Sequence, residues 1–263
     1  MTVAKYINQL LSYEEYSFSL NELVENISKS ETSIKSELNR LVAKKEVINL
    51  RKGFYLIIPP RYSVAQRLPI QLYIEKLFNY LDRNYYVALL SAAKFHGASH
   101  QQIQRDYIIT ETPKFKDISK NTIDIHFFTT SNWTGKNIEI KKSDAGLYKL
   151  SSPALTIVDI INYQTKLGGI NRILSIIEEL SEELQGSDLV ELINWYPHRS
   201  VLQRVGFLLQ KLRVNEECQE LLFKNLKTSN FFPVLLTPKL NERPGAVNNR
   251  WKVDINVKIE SDL

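Results

Sequence analysis

The spacing of apolar residues limits what the first 44 residues can fold into. Apolar residues recur at helical spacing near 2–14, and Ser19 and Glu22 form a capping-box pattern that begins a second helix. A third helix follows Ser30, with Ile34, Leu38, Leu41 and Val42 on a single apolar stripe. The pattern therefore predicts three short helices in close succession.

The spacing changes from helical to extended after this third helix. The segments 47–50 and 54–58 have the pattern of two strands, and Arg51-Lys52-Gly53 lies between them with a glycine free to take a positive φ. Pro59-Pro60 ends the unit, because proline cannot donate to a sheet. Three helices followed by a hairpin with a basic tip predict a winged helix-turn-helix domain over residues 1–62.

Such a domain places its third helix in the major groove of DNA, and its hairpin contacts the adjacent backbone. Small hydroxyl and amide side chains approach base edges, and basic side chains neutralise phosphates. The alternative is a domain used for protein contact, since Glu31, Glu37 and Glu46 dilute the basic surface. The predicted DNA-binding residues are Thr32, Ser33, Lys35, Ser36, Asn39, Arg40, Lys44, Arg51 and Lys52.

The distribution of charge agrees with a polyanion partner for the first half of the chain. The net charge is +5, from 34 basic and 29 acidic residues. Residues 1–62 carry +2, residues 63–150 carry +4 and residues 151–263 carry −1. This basic excess permits binding to nucleic acid without requiring it.

The remainder, 63–263, is predicted as one larger domain whose first part, 63–150, mixes helices and strands. We expect a helix near 70–82 and a buried helix over 84–98 that ends at Gly97. Extended patterns follow at 107–110 and 123–128, with shorter candidates at 138–140 and 147–150.

The second part, 151–263, is predicted to be mainly helical. Ser152-Pro153 has the pattern of a helix start, and Gly168-Gly169 breaks the chain before a further helix. The segments 231–236 and 253–259 predict a terminal β-hairpin, with the odd-numbered apolar residues from Val253 to Ile259 on one face. The fold class is therefore α+β. Three later helices are expected near 188–196, 199–212 and 216–226.

The sequence contains no motif for nucleotide binding or nucleophilic catalysis. Cys218 follows Glu217, a neighbour that raises a thiol pKa, and as the single cysteine it excludes an internal disulfide. His96 and His100 are four residues apart but lack a third ligand, so we expect no metal. The acidic run from Glu178 to Glu183 is typical of a solvated helix face or a docking surface.

These patterns predict a protein that is not an enzyme and needs no cofactor. No apolar run approaches a membrane span, and the N-terminus lacks the pattern of a signal peptide, so we expect a cytoplasmic protein without membrane contact.

Five segments, in this order and spacing, resemble one known family. They are RKGFY at 51–55, YYVALLSAAKFHGASHQ at 85–101, SPALTIVD at 152–159 followed by Gly168-Gly169, RVGFLL at 204–209 and NRWKVDINV at 249–257. They are similar to the AbiEi antitoxins of AbiE-type, or type IV, toxin–antitoxin systems, and the similarity extends over nearly the whole chain.

The resemblance implies an N-terminal domain that binds inverted repeats in its own promoter and represses its operon. It implies a C-terminal domain that supplies antitoxin activity against a nucleotidyltransferase-like toxin, within a system of phage abortive infection. The family counters the toxin without an obligatory direct complex, although related pairs bind directly. A monomer in solution with two copies on DNA fits this description, and the family offers no catalytic residues to transfer.

Two other hypotheses remain open at this stage. In one, the middle and C-terminal regions act as an enzyme on nucleotide or on the toxin, although no motif requires it. In the other, the protein is an interaction module that neutralises the toxin by direct binding, and its winged helix does not read DNA.

Overall fold

The computed structural model describes residues 1–98 and 104–259, and their secondary structure is of the α+β class. In this part of the chain there are ten α-helices and eleven strands. In chain order they are α1 (Val3–Ser12), β1 (Ser17–Ser19), α2 (Leu20–Asn26), α3 (Glu31–Ala43), β2 (Val47–Arg51), β3 (Phe54–Ile57), α4 (Ile74–Leu81), β4 (Tyr85–Val87), α5 (Leu89–Phe95), β5 (Asp106–Glu111), β6 (Ile118–Lys120), β7 (Ile123–Thr130), β8 (Ile138–Ser143), β9 (Gly146–Ser151), α6 (Pro153–Asn162), α7 (Ile170–Glu183), α8 (Gly186–Ile193), α9 (Arg199–Leu212), α10 (Glu216–Lys227), β10 (Val234–Leu235) and β11 (Val253–Asp254).

The strands form three sheets. The first has the order β1-β3-β2 and is antiparallel. The largest has the order β6-β7-β5-β4-β9-β8, in which β5 and β7 run parallel and β6 and β7 run antiparallel. The third consists of β10 and β11 alone.

The described chain divides into two compact units. The first contains residues 1–86, 104–132 and 140–149, and so includes the three N-terminal helices and most of the largest sheet. The second contains residues 87–98, 133–139 and 150–259, and it includes α5 to α10.

The N-terminal helices begin where their capping residues predict. Ser19 accepts from the backbone N–H of Glu22 at 3.1 Å, and Glu22 accepts from the Ser19 N–H at 2.6 Å, which completes the predicted capping box. Ser30 caps α3 in the same way by accepting from the Ser33 N–H. Both caps satisfy N–H groups that the helix itself leaves without acceptors.

One core joins α1, α2 and α3 to the first sheet. Its members are Val3, Tyr6, Ile7, Leu10, Phe18, Leu23, Ile27, Ile34, Leu38, Val47, Tyr55 and Ile57. Val24 on α2 lies outside this core, since 37% of this residue is exposed.

The hairpin of β2 and β3 forms as predicted. Gly53 adopts φ +77° in its turn, a conformation that suits glycine. The Tyr80 hydroxyl donates to the Lys52 carbonyl at 3.0 Å, and a Cβ on Gly53 would lie 2.6 Å from that hydroxyl oxygen. The backbone geometry therefore favours glycine here, and any larger residue would also displace the Tyr80 hydroxyl.

The predicted helix over 84–98 is wrong in its first half. Residues 85–87 form β4, and only 89–95 form a helix, α5. All three residues of β4 are buried. In a segment that is buried on both faces, the spacing of apolar residues does not distinguish a strand from a helix. Gly97, with φ +79°, ends the helical turn as predicted.

The helices of the second unit agree closely with the sequence pattern. Nine of the ten residues of α6 are buried, from Pro153 to Ile161, so this helix lies at the centre of the unit. Ser152 caps it by accepting from the Leu155 N–H. The four following helices lie near the predicted segments.

The predicted terminal β-hairpin is wrong. β10 and β11 are two residues each and pair in parallel, with Val234 opposite Val253. The predicted alternation also fails, because Asp254 and Asn256 are buried whereas Ile255 is exposed. The Asp254 carboxylate accepts from two backbone N–H groups of the preceding loop, and Asn256 pairs with the Thr237 backbone in both directions. Polar residues are buried here because they hold irregular backbone. Residue 260, which the same pattern would place on the polar face of the strand, lies outside the described residues.

No helix in the described ranges is long and apolar enough to cross a membrane.

Candidate nucleic-acid interface

The outer face of α3 consists of the residues that the sequence pattern selects. Ile34 and Leu38 are buried on the opposite side of the helix, against the N-terminal core. The structure places seven predicted residues together, six on the exposed side of α3 and Lys44 at its C-cap. They are Thr32, Ser33, Lys35, Ser36, Asn39, Arg40 and Lys44.

Glu37 connects α3 to the start of α1. One of its carboxylate oxygens accepts from the Val3 N–H at 3.0 Å, and the other pairs with Lys29. The Lys29 hydrogen bond and then the Val3 N–H lower the pKa of Glu37. This carboxylate therefore orients α3 and has its charge matched locally.

Glu31 and Lys35 reduce the positive charge of the first turn of α3. Their charged atoms lie 2.5 Å apart, and the hydrogen bond to Glu31 raises the pKa of Lys35. Arg40 and Lys44 lie further along the helix and form no ion pair with any described residue. The uncompensated positive charge of this face is therefore concentrated in its C-terminal half.

Arg51 differs from the other predicted residues because its guanidinium lies on aromatic rings. The guanidinium carbon is 5.0 Å from the centre of the Phe115 ring and 5.9 Å from that of Phe127. Burial lowers its pKa, and its Nη1 is buried without a hydrogen bond to the described residues. Lys52, by contrast, is exposed at the hairpin tip.

Sequence reasoning missed this environment of Arg51. Phe115 and Phe127 follow it by more than 60 residues, and no local pattern links them to the hairpin. Arg83 lies 5.1 Å from the same Phe115 ring, so two guanidinium groups share one aromatic side chain. An arginine at a hairpin tip is therefore not by itself evidence of a free cation.

The other groups with chemical potential have structural partners. His96, at the C-terminal end of α5, has its Nε2 atom 2.8 Å from the Ser151 carbonyl oxygen. His100 lies outside the described residues. Burial, followed by the charge of Glu217, raises the pKa of the Cys218 thiol to about 11. The described ranges contain no group of three or more residues able to hold a metal ion.

The acidic run on α7 is a solvated face only in its C-terminal part. Glu182 and Glu183 are exposed, and Glu178 and Glu179 are half-buried.

In the second unit, polar side chains form hydrogen bonds with one another and with the backbone, a role that the sequence did not predict. Asn137 donates to Asp188 Oδ1 at 2.7 Å, and Trp195 donates to Asn137 Oδ1 at 2.6 Å. The other oxygen of Asp188 accepts from the Ala154 N–H at the start of α6. These groups are satisfied by one another, which is the arrangement of a structural network.

Residues 86–211 match the family model described as the AbiEi antitoxin C-terminal domain. Over this segment, which is a little under half of the chain, the sequence is similar to the AbiEi antitoxin family. The matched segment begins in β4 and ends within α9, and it includes α6 as its most buried helix. The resemblance inferred from the sequence is thereby confirmed for the antitoxin family.

Among solved structures, the chain is similar to the RV2827C protein from Mycobacterium tuberculosis. The TM-score is 0.65 at 14% identity, and the match covers 95% of this chain and 89% of that one. At this identity the likeness shows a shared fold.

A nucleotidyltransferase-like antigenic protein from Paracoccidioides brasiliensis also matches, with a TM-score of 0.32 and 10% identity over 54% of this chain and 89% of that one. Comparison with curated protein sequences finds no match.

Proposed function

We propose that the protein is a type IV antitoxin that also represses its own operon by binding DNA. The AbiEi domain over residues 86–211 is the observation that supports the antitoxin role. Its partner in this proposal is a nucleotidyltransferase-like toxin, whose effect it counters in the cytoplasm. The activity is not enzymatic, and the polar groups of the second unit serve to hold the fold.

The DNA-binding part of the proposal is supported by the N-terminal elements. Three helices and a three-stranded sheet of order β1-β3-β2 have the element order of a winged helix-turn-helix, which we assign to residues 1–62. In this assignment α3 enters the major groove, and its exposed hydroxyl and amide groups contact base edges. Lys35, Arg40, Lys44 and Lys52 then contact phosphates.

Inverted repeats in the promoter provide one half-site for each of two copies. Two copies on one operator require half-sites separated by about one helical turn, or a multiple of it. Protein that is monomeric in solution is compatible with this arrangement.

The second candidate function is a module that neutralises the toxin by direct binding and does not read DNA. The Glu31–Lys35 pair favours it, since it places a carboxylate in the turn of α3 that would approach DNA first. Co-purification of the toxin with this protein, with no retention of DNA, would support it.

A two-part assay in cells tests the proposal. Full-length protein is co-expressed with the toxin encoded beside it, and a reporter carries the upstream DNA of the operon. We expect the wild type to restore growth and to repress the reporter. The Arg40→Ala/Lys44→Ala variant should restore growth as well as the wild type does but repress poorly, because the exposed cations of α3 are distant in sequence from the AbiEi domain. Loss of growth restoration by the wild type would refute the antitoxin role, and full repression by the variant would refute the role of α3.

A further inference from the structure

Four cations and one exposed ring lie close together at the C-terminal end of the second unit. We refer to Lys224, Lys227, Arg250, Lys252 and Phe232 as the basic–aromatic surface. The AbiEi family match ends at residue 211, so all five residues follow the matched segment.

Contacts of the aromatic residues show that the cations are neighbours. Arg250 lies 3.9 Å from the centre of the Phe223 ring, and Lys227 lies 4.4 Å from the same centre. Lys252 lies 4.8 Å from the ring centre of Phe231 and donates to the Phe231 carbonyl at 3.0 Å. Aromatic faces thus hold three of the cations in place.

The surface has more positive than negative charge. Glu220 bonds Arg250 at 2.8 Å, and this bond, together with the charges of Lys224 and Lys227, lowers the pKa of the Glu220 carboxyl. One carboxylate therefore faces three cations. Lys224, Lys227 and Lys252 are exposed and form no ion pair with any residue in the described ranges.

Phe232 follows Phe231, the residue that contacts Lys252, and its backbone is held by hydrogen bonding while its ring is exposed. Its ring is 76% exposed, whereas its carbonyl accepts from Gln203 Nε2 at 2.9 Å. The same Nε2 donates to the carbonyl of Trp251 at 3.0 Å, which fixes Phe232 next to the segment that carries Arg250 and Lys252. Pro233 further restricts Phe232 to extended backbone.

Helix stabilisation explains only part of this arrangement. Lys224 and Lys227 are in the last turn of α10, where positive charge stabilises a helix. That effect accounts neither for Lys252, which lies outside the helix, nor for an exposed phenylalanine anchored through its backbone.

We infer that the basic–aromatic surface binds single-stranded nucleic acid, with its lysines on phosphates and a base stacked on Phe232. A positively charged surface with an aromatic ring is the arrangement by which single strands are bound without sequence preference. A protein partner would call for a larger apolar area at the centre of the contact, whereas this surface offers one ring among cations. The inference goes beyond the proposed function, because that function concerns duplex DNA and α3.

Fluorescence anisotropy with a labelled oligouridylate of about 12 nucleotides tests this inference, a length within the range that single-strand sites cover. The full chain is used with Arg40→Ala/Lys44→Ala as background, so that the α3 face contributes less to binding. We expect tighter binding to the single strand than to a duplex of equal length. Phe232→Ala should weaken binding about 10-fold or more, and Phe232→Trp should retain it.

Lysine variants provide the electrostatic test. Lys224→Ala/Lys227→Ala should lower the salt slope by about 1.4, since each phosphate contact on a single strand contributes about 0.7. Lys211→Ala/Lys239→Ala removes the same charge from exposed positions elsewhere in the unit and should leave the slope unchanged. The inference is overturned if the oligonucleotide does not bind, if Phe232→Ala binds as tightly as the background protein, or if polyglutamate competes as well as unlabelled oligonucleotide.

Discussion

Arg51 and Lys52 are adjacent in the hairpin but have opposite environments. Lys52 is exposed, whereas the guanidinium of Arg51 lies on Phe115 and Phe127 with its Nη1 buried. The packing of Arg51 against two aromatic rings stabilises the fold, whereas the exposed Lys52 is available to contact a phosphate. The sequence predicted both residues as phosphate contacts, because residues at a hairpin tip are usually exposed. A local hairpin pattern does not show which distant side chains pack against the tip.

Lys52→Ala and Arg51→Met should therefore affect DNA binding differently. We expect Lys52→Ala to reduce the salt slope of operator binding by about 0.9, the contribution of one phosphate contact on duplex DNA. Arg51→Met keeps an apolar stem against the rings and should leave the slope unchanged. Binding titrations at several salt concentrations measure both, and an equal loss of slope in the two variants would show that Arg51 also contacts DNA.

α3 and α9 show how far periodicity determines an element. The apolar stripe of α3 predicted its buried side, and with it the exposure of all seven candidate residues on the helix. The predicted helix over 199–212 coincides with α9. The predictions failed in two places where burial does not follow the periodicity of apolar residues. One is β4, in which every residue is buried. The other is the segment 231–259, where Asp254 and Asn256 are buried because they form hydrogen bonds with the backbone. The exposure of the seven candidate residues of α3 is confirmed, whereas their contact with DNA stays a prediction.

Gly206 in α9 is required by an aromatic side chain from the C-terminal segment. Trp251 is fully buried, and a Cβ on Gly206 would lie 2.1 Å from its ring. Alanine usually stabilises a helix interior by about 1 kcal/mol relative to glycine. Overpacking here should reverse the sign, so that Gly206→Ala lowers the free energy of unfolding by about 1–3 kcal/mol.

Chemical denaturation of Gly206→Ala and of the control Ser200→Ala, on the same helix, measures this effect. The control should change stability little, because the Ser200 side chain makes no hydrogen bond in the described structure. A Gly206→Ala variant as stable as the wild type would contradict the packing of Trp251 against α9.

At the scale of the whole molecule, the two proposed nucleic-acid surfaces lie on different units. The α3 face belongs to the first unit, and the basic–aromatic surface belongs to the second. The AbiEi match includes residues of both units, since it covers strands of the largest sheet as well as α6 to α9. Family resemblance could be recognised from five separated segments, whereas the division into units depends on contacts between distant parts of the chain.

Binding to the DNA upstream of the protein's own operon tests the central proposal most directly. The measurement is a salt titration with this duplex and with a scrambled duplex of equal length. We predict a preference for the native duplex of roughly 10³ or more, as expected for sequence-specific readout. Equal, weak and salt-sensitive binding to both duplexes would contradict it, since only the electrostatic contribution would then be present.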